Sequence, residues 1–160
     1  NLYEEFWKIY TKSDIIPPQY ISADAIVDRS IVGEGCEIYG ELHNSIIGAG
    51  VVIKKGTVVR DSIIMKQTVI GENSVIDKAI IAENVTVGNN VVMGVGEAVP
   101  NKEKPSVYSF GLVTIGENSV IPANVRIGVN TAIVGATSAE DYPGGELASG
   151  ETLNKEGETA

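Results

Sequence analysis

The stretch "SIIGAGVVIKKGTVV", Ser45 to Val59, returns 17 residues later as "SIIMKQTVIGENSVI" and again as "AIIAENVTVGNNVVM" from Ala79. Within each copy an aliphatic side chain recurs every six positions: Ile47, Ile53 and Val59; Ile64, Ile70 and Ile76; Ile81, Val87 and Met93. The step from one copy to the next is five. Upstream, Ile21, Val27, Val32 and Ile38 step by six, five and six; downstream, Ile115, Ile121, Ile127 and Ile133 step by six throughout. Two residues before most of these heads stands a small or β-branched residue: Ser45, Val51, Thr57, Ser62, Thr68, Ser74, Ala79, Val85, Ser119, Val125 and Thr131.

A period of six suits neither an isolated helix nor a simple alternating strand. It is the signature of an all-β fold, the left-handed parallel β-helix of hexapeptide repeats, in which each coil buries its neighbours. Three hexapeptides close one triangular coil. The heads point inward, and the small residues fit near the corners. "IGEN", "IGAG" and "VGNN" follow heads, because Gly and Asn tolerate the left-handed backbone that corners need. The five-residue step is a shorter corner repeated on one edge. Burying each head contributes roughly 1.5–3 kcal/mol. Ile70→Asp is therefore expected to break the coil, whereas Lys66 is replaceable. A β-sandwich of short strands would not hold this phase over so many units.

The chain divides into three parts. Residues 1–20, "NLYEEFWKIYTKSDIIPPQY", stand outside the repeat as a short linker segment, with an apolar cluster at Phe6, Trp7, Ile9 and Tyr10. Pro17-Pro18 straightens the backbone into the first coil. Residues 21–135 form the β-helix, interrupted at 94–112 by "GVGEAVPNKEKPSVYSFGL", a loop leaving one edge. Residues 136–160 are acidic and rich in small residues, and are expected to lie beyond the repeat as a tail with a flexible end. The chain opens on Asn1, as a piece of a longer protein would.

Chemistry is sparse. A net charge of −9 argues against nucleic acid or an anionic membrane as partner. No signal peptide and no membrane-spanning apolar run is present. One cysteine, Cys36, excludes an internal disulfide framework and fits a reducing cytoplasm. Cys36 sits two before Ile38, the packing position. The single histidine, His43, is a possible acyltransferase base, but its setting is that of a surface corner. One histidine cannot make a three-histidine zinc site. Walker, HExxH, GxSxG and CxxC patterns are absent. Glu140-Asp141 lies in the tail, where solvation accounts for it. Clustered cations could hold a phosphorylated effector: Lys54, Lys55, Arg60, Lys66 and Arg126 are the candidates, with Lys102 and Lys104 on the loop.

One ordered set of motifs is more specific than the hexapeptides. "FWKIYTKSDIIPPQYI", then "GELHNSII" at Gly40 to Ile47, "DSIIM" at Asp61 to Met65 and "VTIGENSVIPANVRIG" from Val113 resemble the C-terminal part of bacterial glucose-1-phosphate adenylyltransferases. The resemblance covers about residues 6–135. It implies a parent enzyme that makes ADP-glucose and pyrophosphate from ATP and glucose 1-phosphate with Mg2+, for glycogen or starch synthesis in the cytoplasm. ATP and Mg2+ would be handled by an N-terminal catalytic domain absent from this chain. The β-helix would serve assembly into a homo- or hetero-oligomer, a tetramer in the parent, and allosteric control. Phe6, Trp7, Ile9 and Tyr10 would then pack on that domain or on a neighbouring subunit. The alternatives are the tail of another sugar-phosphate nucleotidyltransferase, a free-standing hexapeptide acyltransferase, and a non-catalytic scaffold.

Overall fold

A computed structural model describes residues 15–155. The candidate interface residues Phe6, Trp7, Ile9 and Tyr10 lie outside the described residues. The heads named above build a left-handed parallel β-helix with three flat faces. The first face stacks Tyr20–Ile21, Glu37–Ile38, Val52–Ile53, Val69–Ile70, Thr86–Val87 and Val120–Ile121. The second runs from Ile26–Asp28 through Glu41–His43, Val58–Arg60, Val75–Asp77, Val92–Met93 and Arg126–Ile127 to Glu146–Leu147. The third runs from Ile31–Val32 through Ile46–Ile47, Ile63–Ile64, Ala79–Ile81, Val113–Ile115 and Thr131–Val134 to Thr152–Asn154. Every strand pairing is parallel and heads stack on heads: Ile38 on Ile53, Ile53 on Ile70, Ile70 on Val87. Coils are numbered from the N-terminus, so that Ile53, Val59 and Ile64 belong to coil 3.

Coil 2 is tighter than the spacing suggests. Between Ile38 and Ile47 the second-face head is Leu42, which is fully buried and only four residues after Ile38. Gly40 makes this corner possible. A Cβ there would lie 2.3 Å from the Thr57 carbonyl oxygen and 3.0 Å from that of Lys54. The larger corners use the left-handed backbone, at Asn73, Asn84, Asn90, Asn118 and Asn124 among others.

The residues two before the heads do more than fit. The Thr57 hydroxyl accepts the Ser74 amide of the next coil at 3.0 Å and donates to the Gly71 carbonyl at 2.5 Å. Ser74 repeats the pattern toward Val91 N–H and the Gly88 carbonyl. On the third face, Ser30, Ser45 and Ser62 accept the amides of Ser45, Ser62 and Ala79 in turn. These hydroxyls satisfy backbone donors that the narrow prism hides from water.

Three sequence expectations change. The repeat does not stop at Gly135. Glu146–Leu147 pairs with Arg126–Ile127, and Thr152–Asn154 pairs with Thr131–Val134, adding two strands of a seventh coil inside the expected tail. On the first face its place is taken by an irregular stretch whose Thr137 carbonyl accepts the Val120 amide. Tyr142 closes this end of the core, its hydroxyl 2.9 Å from Thr137 Oγ1. Glu140-Asp141 is likewise not a merely solvated pair. Asp141 accepts the Ser138 amide at 2.7 Å and pairs with Lys155 at 2.6 Å, clasping the last coil. The opposite end is open. The first-coil heads Ile21 and Val27, expected inside, are 45% and 37% exposed, because among the described residues no coil lies below them.

The loop 94–112 is pinned, not free. Buried Asn101 donates to the Asn130 carbonyl and to Thr152 Oγ1, and its carbonyl oxygen accepts the Glu103 and Lys104 amides. Asn130 in turn accepts the Gly111 amide at 2.7 Å and donates to the Val99 carbonyl at 2.8 Å.

Candidate functional site

The cationic candidates occupy three different corners of the prism. Lys54 and Lys55 follow Val52–Ile53 at the corner between first and second faces. Arg60 ends Val58–Arg60 at the corner between second and third, and Lys66 follows Ile63–Ile64 at the corner between third and first. All four belong to coil 3, yet they are spread over its three corners, with Lys54 and Lys55 sharing one. Arg126 stands three coils higher on the second face, in register with Val92 and Glu146.

Their neighbours are mostly anionic. Lys55 lines a hollow of about 300 Å³ over the tight corner at Gly40, together with Asp24, Glu41 and Glu72. Three carboxylates around one ammonium make a poor cradle for a phosphate. Lys66 pairs with Glu83 of the next coil at 3.2 Å. Arg60 lies in register between His43 and Asp77. On the loop, Lys102 pairs with Glu151.

His43 sits half-exposed on the second face. One ring nitrogen is 3.3 Å from the Glu41 carboxylate and the other 3.9 Å from that of Asp28. Cys36 is fully buried, its Sγ donating to the Gly48 carbonyl at 3.0 Å. Burial pushes its thiol pKa up, which opposes a nucleophilic role. Among the described residues no group of three or more His, Cys, Asp or Glu could hold a metal ion, and no helix is long and apolar enough to cross a membrane.

What the molecule offers instead is surface. The first-coil end exposes Ile21 and Val27, with Tyr20 beside them, its ring tilted against that of Tyr39 at 5.6 Å between centroids. The third face exposes Ile31, Ile46 and Ile63 one above another. Neither surface follows from the six-residue count, although the sequence carries a signal for the second. On the third face the residue before the head is Ile in "SIV", "SII", "SII" and "AII", whereas on the other two faces Glu or Val holds that place in coils 2 to 4.

The family model described as GlmU-like, C-terminal hexapeptide matches residues 18–115. The chain is 67% identical over 158 residues to the glucose-1-phosphate adenylyltransferase of Lachnospira eligens, covering 99% of this chain and 37% of that protein. It is 44% identical over 159 residues to that of Acetivibrio thermocellus, again with 99% and 37% covered. With that of Thermotoga maritima it shares 53% identity over 151 residues, 94% of this chain and 36% of that protein. The chain thus spans little more than a third of the length of these relatives. It belongs to the GlmU-like C-terminal hexapeptide family and corresponds to the C-terminal part of glucose-1-phosphate adenylyltransferases.

Proposed function

We propose that this chain is the regulatory and oligomerisation domain of an enzyme that makes ADP-glucose and pyrophosphate from ATP and glucose 1-phosphate. The observation that carries this reading is the near-complete match of the chain to about a third of such enzymes. The absence of a catalytic constellation among the described residues supports it. ATP and Mg2+ belong, in this reading, to the preceding N-terminal domain. The β-helix joins subunits into a cytoplasmic homo- or hetero-oligomer, a tetramer, and responds to a phosphorylated metabolite through some of Lys54, Lys55, Arg60, Lys66 and Arg126. The parent pathway is glycogen or starch synthesis.

The test compares three proteins: the full-length enzyme, its catalytic part cut before Asn1, and this chain. ADP-glucose formation is followed by pyrophosphate release, and assembly by sedimentation. The full-length enzyme is expected to turn over and assemble. This chain is expected to have no turnover, and the truncated catalytic part to lose assembly and any response to phosphorylated metabolites. Acyl transfer from acetyl-CoA by this chain, abolished in His43→Ala, would overturn the reading in favour of an acyltransferase.

A further inference from the structure

The third face differs from the other two in charge. Its outward column from coil 1 to coil 7 reads Ile31, Ile46, Ile63, Ile80, Thr114, Ala132, Thr152, with no ionisable side chain. The first face carries Glu37 in the equivalent column, and the second carries Glu41, Arg126 and Glu146. The upper half of the third face is already covered. Ala132 points outward yet is fully buried, and the loop 94–112 lies over it, held by Asn101 on Thr152 and by Asn130 on Gly111. The lower half has no such cover. Ile31, Ile46 and Ile63 are 51%, 47% and 39% exposed, and Met65 flanks them. A chain of net charge −9 that keeps a stacked aliphatic strip in water is presenting it to something.

We infer that the bare half of this face, coils 1 to 4, binds the same face of a second copy of this chain. This rests on the reading of the domain as an assembly module and names the surface it uses. Charge at the two rims identifies the occupant. The corner entering the face carries Arg29, Asn44, Asp61 and Lys78 in successive coils, joined by Asn44, Asp61 and Lys78 amides donating to the coil before. The corner leaving it carries Glu34, Ala49, Lys66 and Glu83 in the same coils, joined in the same way by the amides of Gly50, Gln67 and Asn84. At the corner positions the signs are opposite across every charged coil, Arg29 with Glu34, Asp61 with Lys66 and Lys78 with Glu83; within one copy Arg29 also pairs with Asp28, and Lys66 with Glu83 along the leaving rim.

A twofold axis parallel to the prism lays the entering rim of one copy along the leaving rim of the other at the same height. Each isoleucine then meets its own counterpart. Arg29 meets the second copy's Glu34, Asp61 its Lys66 and Lys78 its Glu83, and the neutral Asn44 and Ala49 meet in coil 2. Among these corner residues no like charges face one another. A twofold axis along the strands fares worse when centred between coils 2 and 3, where it sets Arg29 against Lys78 and Glu34 against Glu83. Such matched patterning selects the partner and its register more than it adds affinity.

Sedimentation velocity of the 160-residue chain, from low to high micromolar, tests this. The unchanged chain is expected to dimerise. Ile46→Glu, an outward substitution that leaves the prism core intact, is expected to weaken dimerisation at least tenfold while the circular dichroism spectrum stays the same; Ile46→Ser is the fallback if Ile46→Glu does not fold. Asp61→Lys or Lys66→Asp alone should weaken it, and the two together should restore it. The left-handed corner tolerates Lys, since Lys78 already adopts it. A monomer at every concentration would overturn the proposal. So would a dimer indifferent to Ile46→Glu, which would leave assembly standing but place it on another surface. Failure of the double charge reversal to restore the dimer would overturn the register.

Discussion

The hydroxyl column can be tested at Thr57. Thr57→Val changes the side chain's shape very little, and the chain already carries valine at the equivalent place in Val51, Val85 and Val91. The cavity contribution is therefore close to nil. What disappears is an oxygen that accepts the Ser74 amide at 3.0 Å and donates to the Gly71 carbonyl at 2.5 Å, all in a fully buried setting. Leaving a buried donor or acceptor unpaired costs about 1–3 kcal/mol. Partial relaxation of the corner puts the expected loss near the middle, about 2 kcal/mol. A solenoid need not unfold in one step, so a bulk melting curve dilutes a local effect. Native-state hydrogen exchange reads the amide itself. At about 1.4 kcal/mol per factor of ten, the Ser74 amide should exchange roughly thirtyfold faster in Thr57→Val. Amides of coil 6 should be unchanged. Val58→Thr, on the outward side of the same strand, is the control and should leave Ser74 as it was. An exchange rate within threefold of the unchanged protein would refute the argument. The small residues would then be fillers of the corner and nothing more.

Other substitutions test the corner, the core and the clasp. Gly40→Ala should cost about 1–3 kcal/mol, as overpacking does, because its Cβ meets backbone oxygen and not a flexible side chain; a urea midpoint equal to that of the unchanged chain would show that the four-residue corner can relax. Ile70→Asp places an unpaired carboxylate in the centre of the prism and should yield no folded soluble chain, whereas exposed Lys66→Ala should shift stability by no more than about 0.5 kcal/mol. A soluble Ile70→Asp chain with an unchanged circular dichroism spectrum would contradict the assignment of inward heads. The Lys155 ammonium, and after it the Ser138 amide, hold the Asp141 carboxyl below its ordinary value of 3.8. Its contribution is therefore present above that value and is lost as pH falls through the lower, folded one. Amide exchange over residues 138–155, corrected for intrinsic rates, should rise on acidification below pH 3.8 before that of coils 2 to 4, and Asp141→Asn should abolish the difference.

The fold was legible because a buried head every six residues is a one-dimensional signal that survives without an alignment. It failed where the signal needed a second dimension. Leu42 escapes a count of sixes because a four-residue step breaks it, and only Gly40, pressed against the Thr57 carbonyl of the next coil, shows why the step can be so short. Leu147 and Leu153 are six apart and could have announced the seventh coil. The break at "TSAEDYPGG" hid them, because there the first face is built by an irregular stretch and a buried tyrosine in place of a hexapeptide. The small residues were visible as a pattern, but their hydrogen bonds run to positions 14 or 17 residues away, and that distance has meaning only once the coils are stacked. The same holds for the candidate sites. Lys54, Lys55, Arg60 and Lys66 are close in sequence and look like a cluster, yet one turn of a triangular prism sends them to three separate corners. Arg29, Asp61 and Lys78 are far apart in sequence and line one rim. In a coil of about 17 residues, neighbours in space are neighbours modulo the coil, and charge runs must be read down the column and not along the chain.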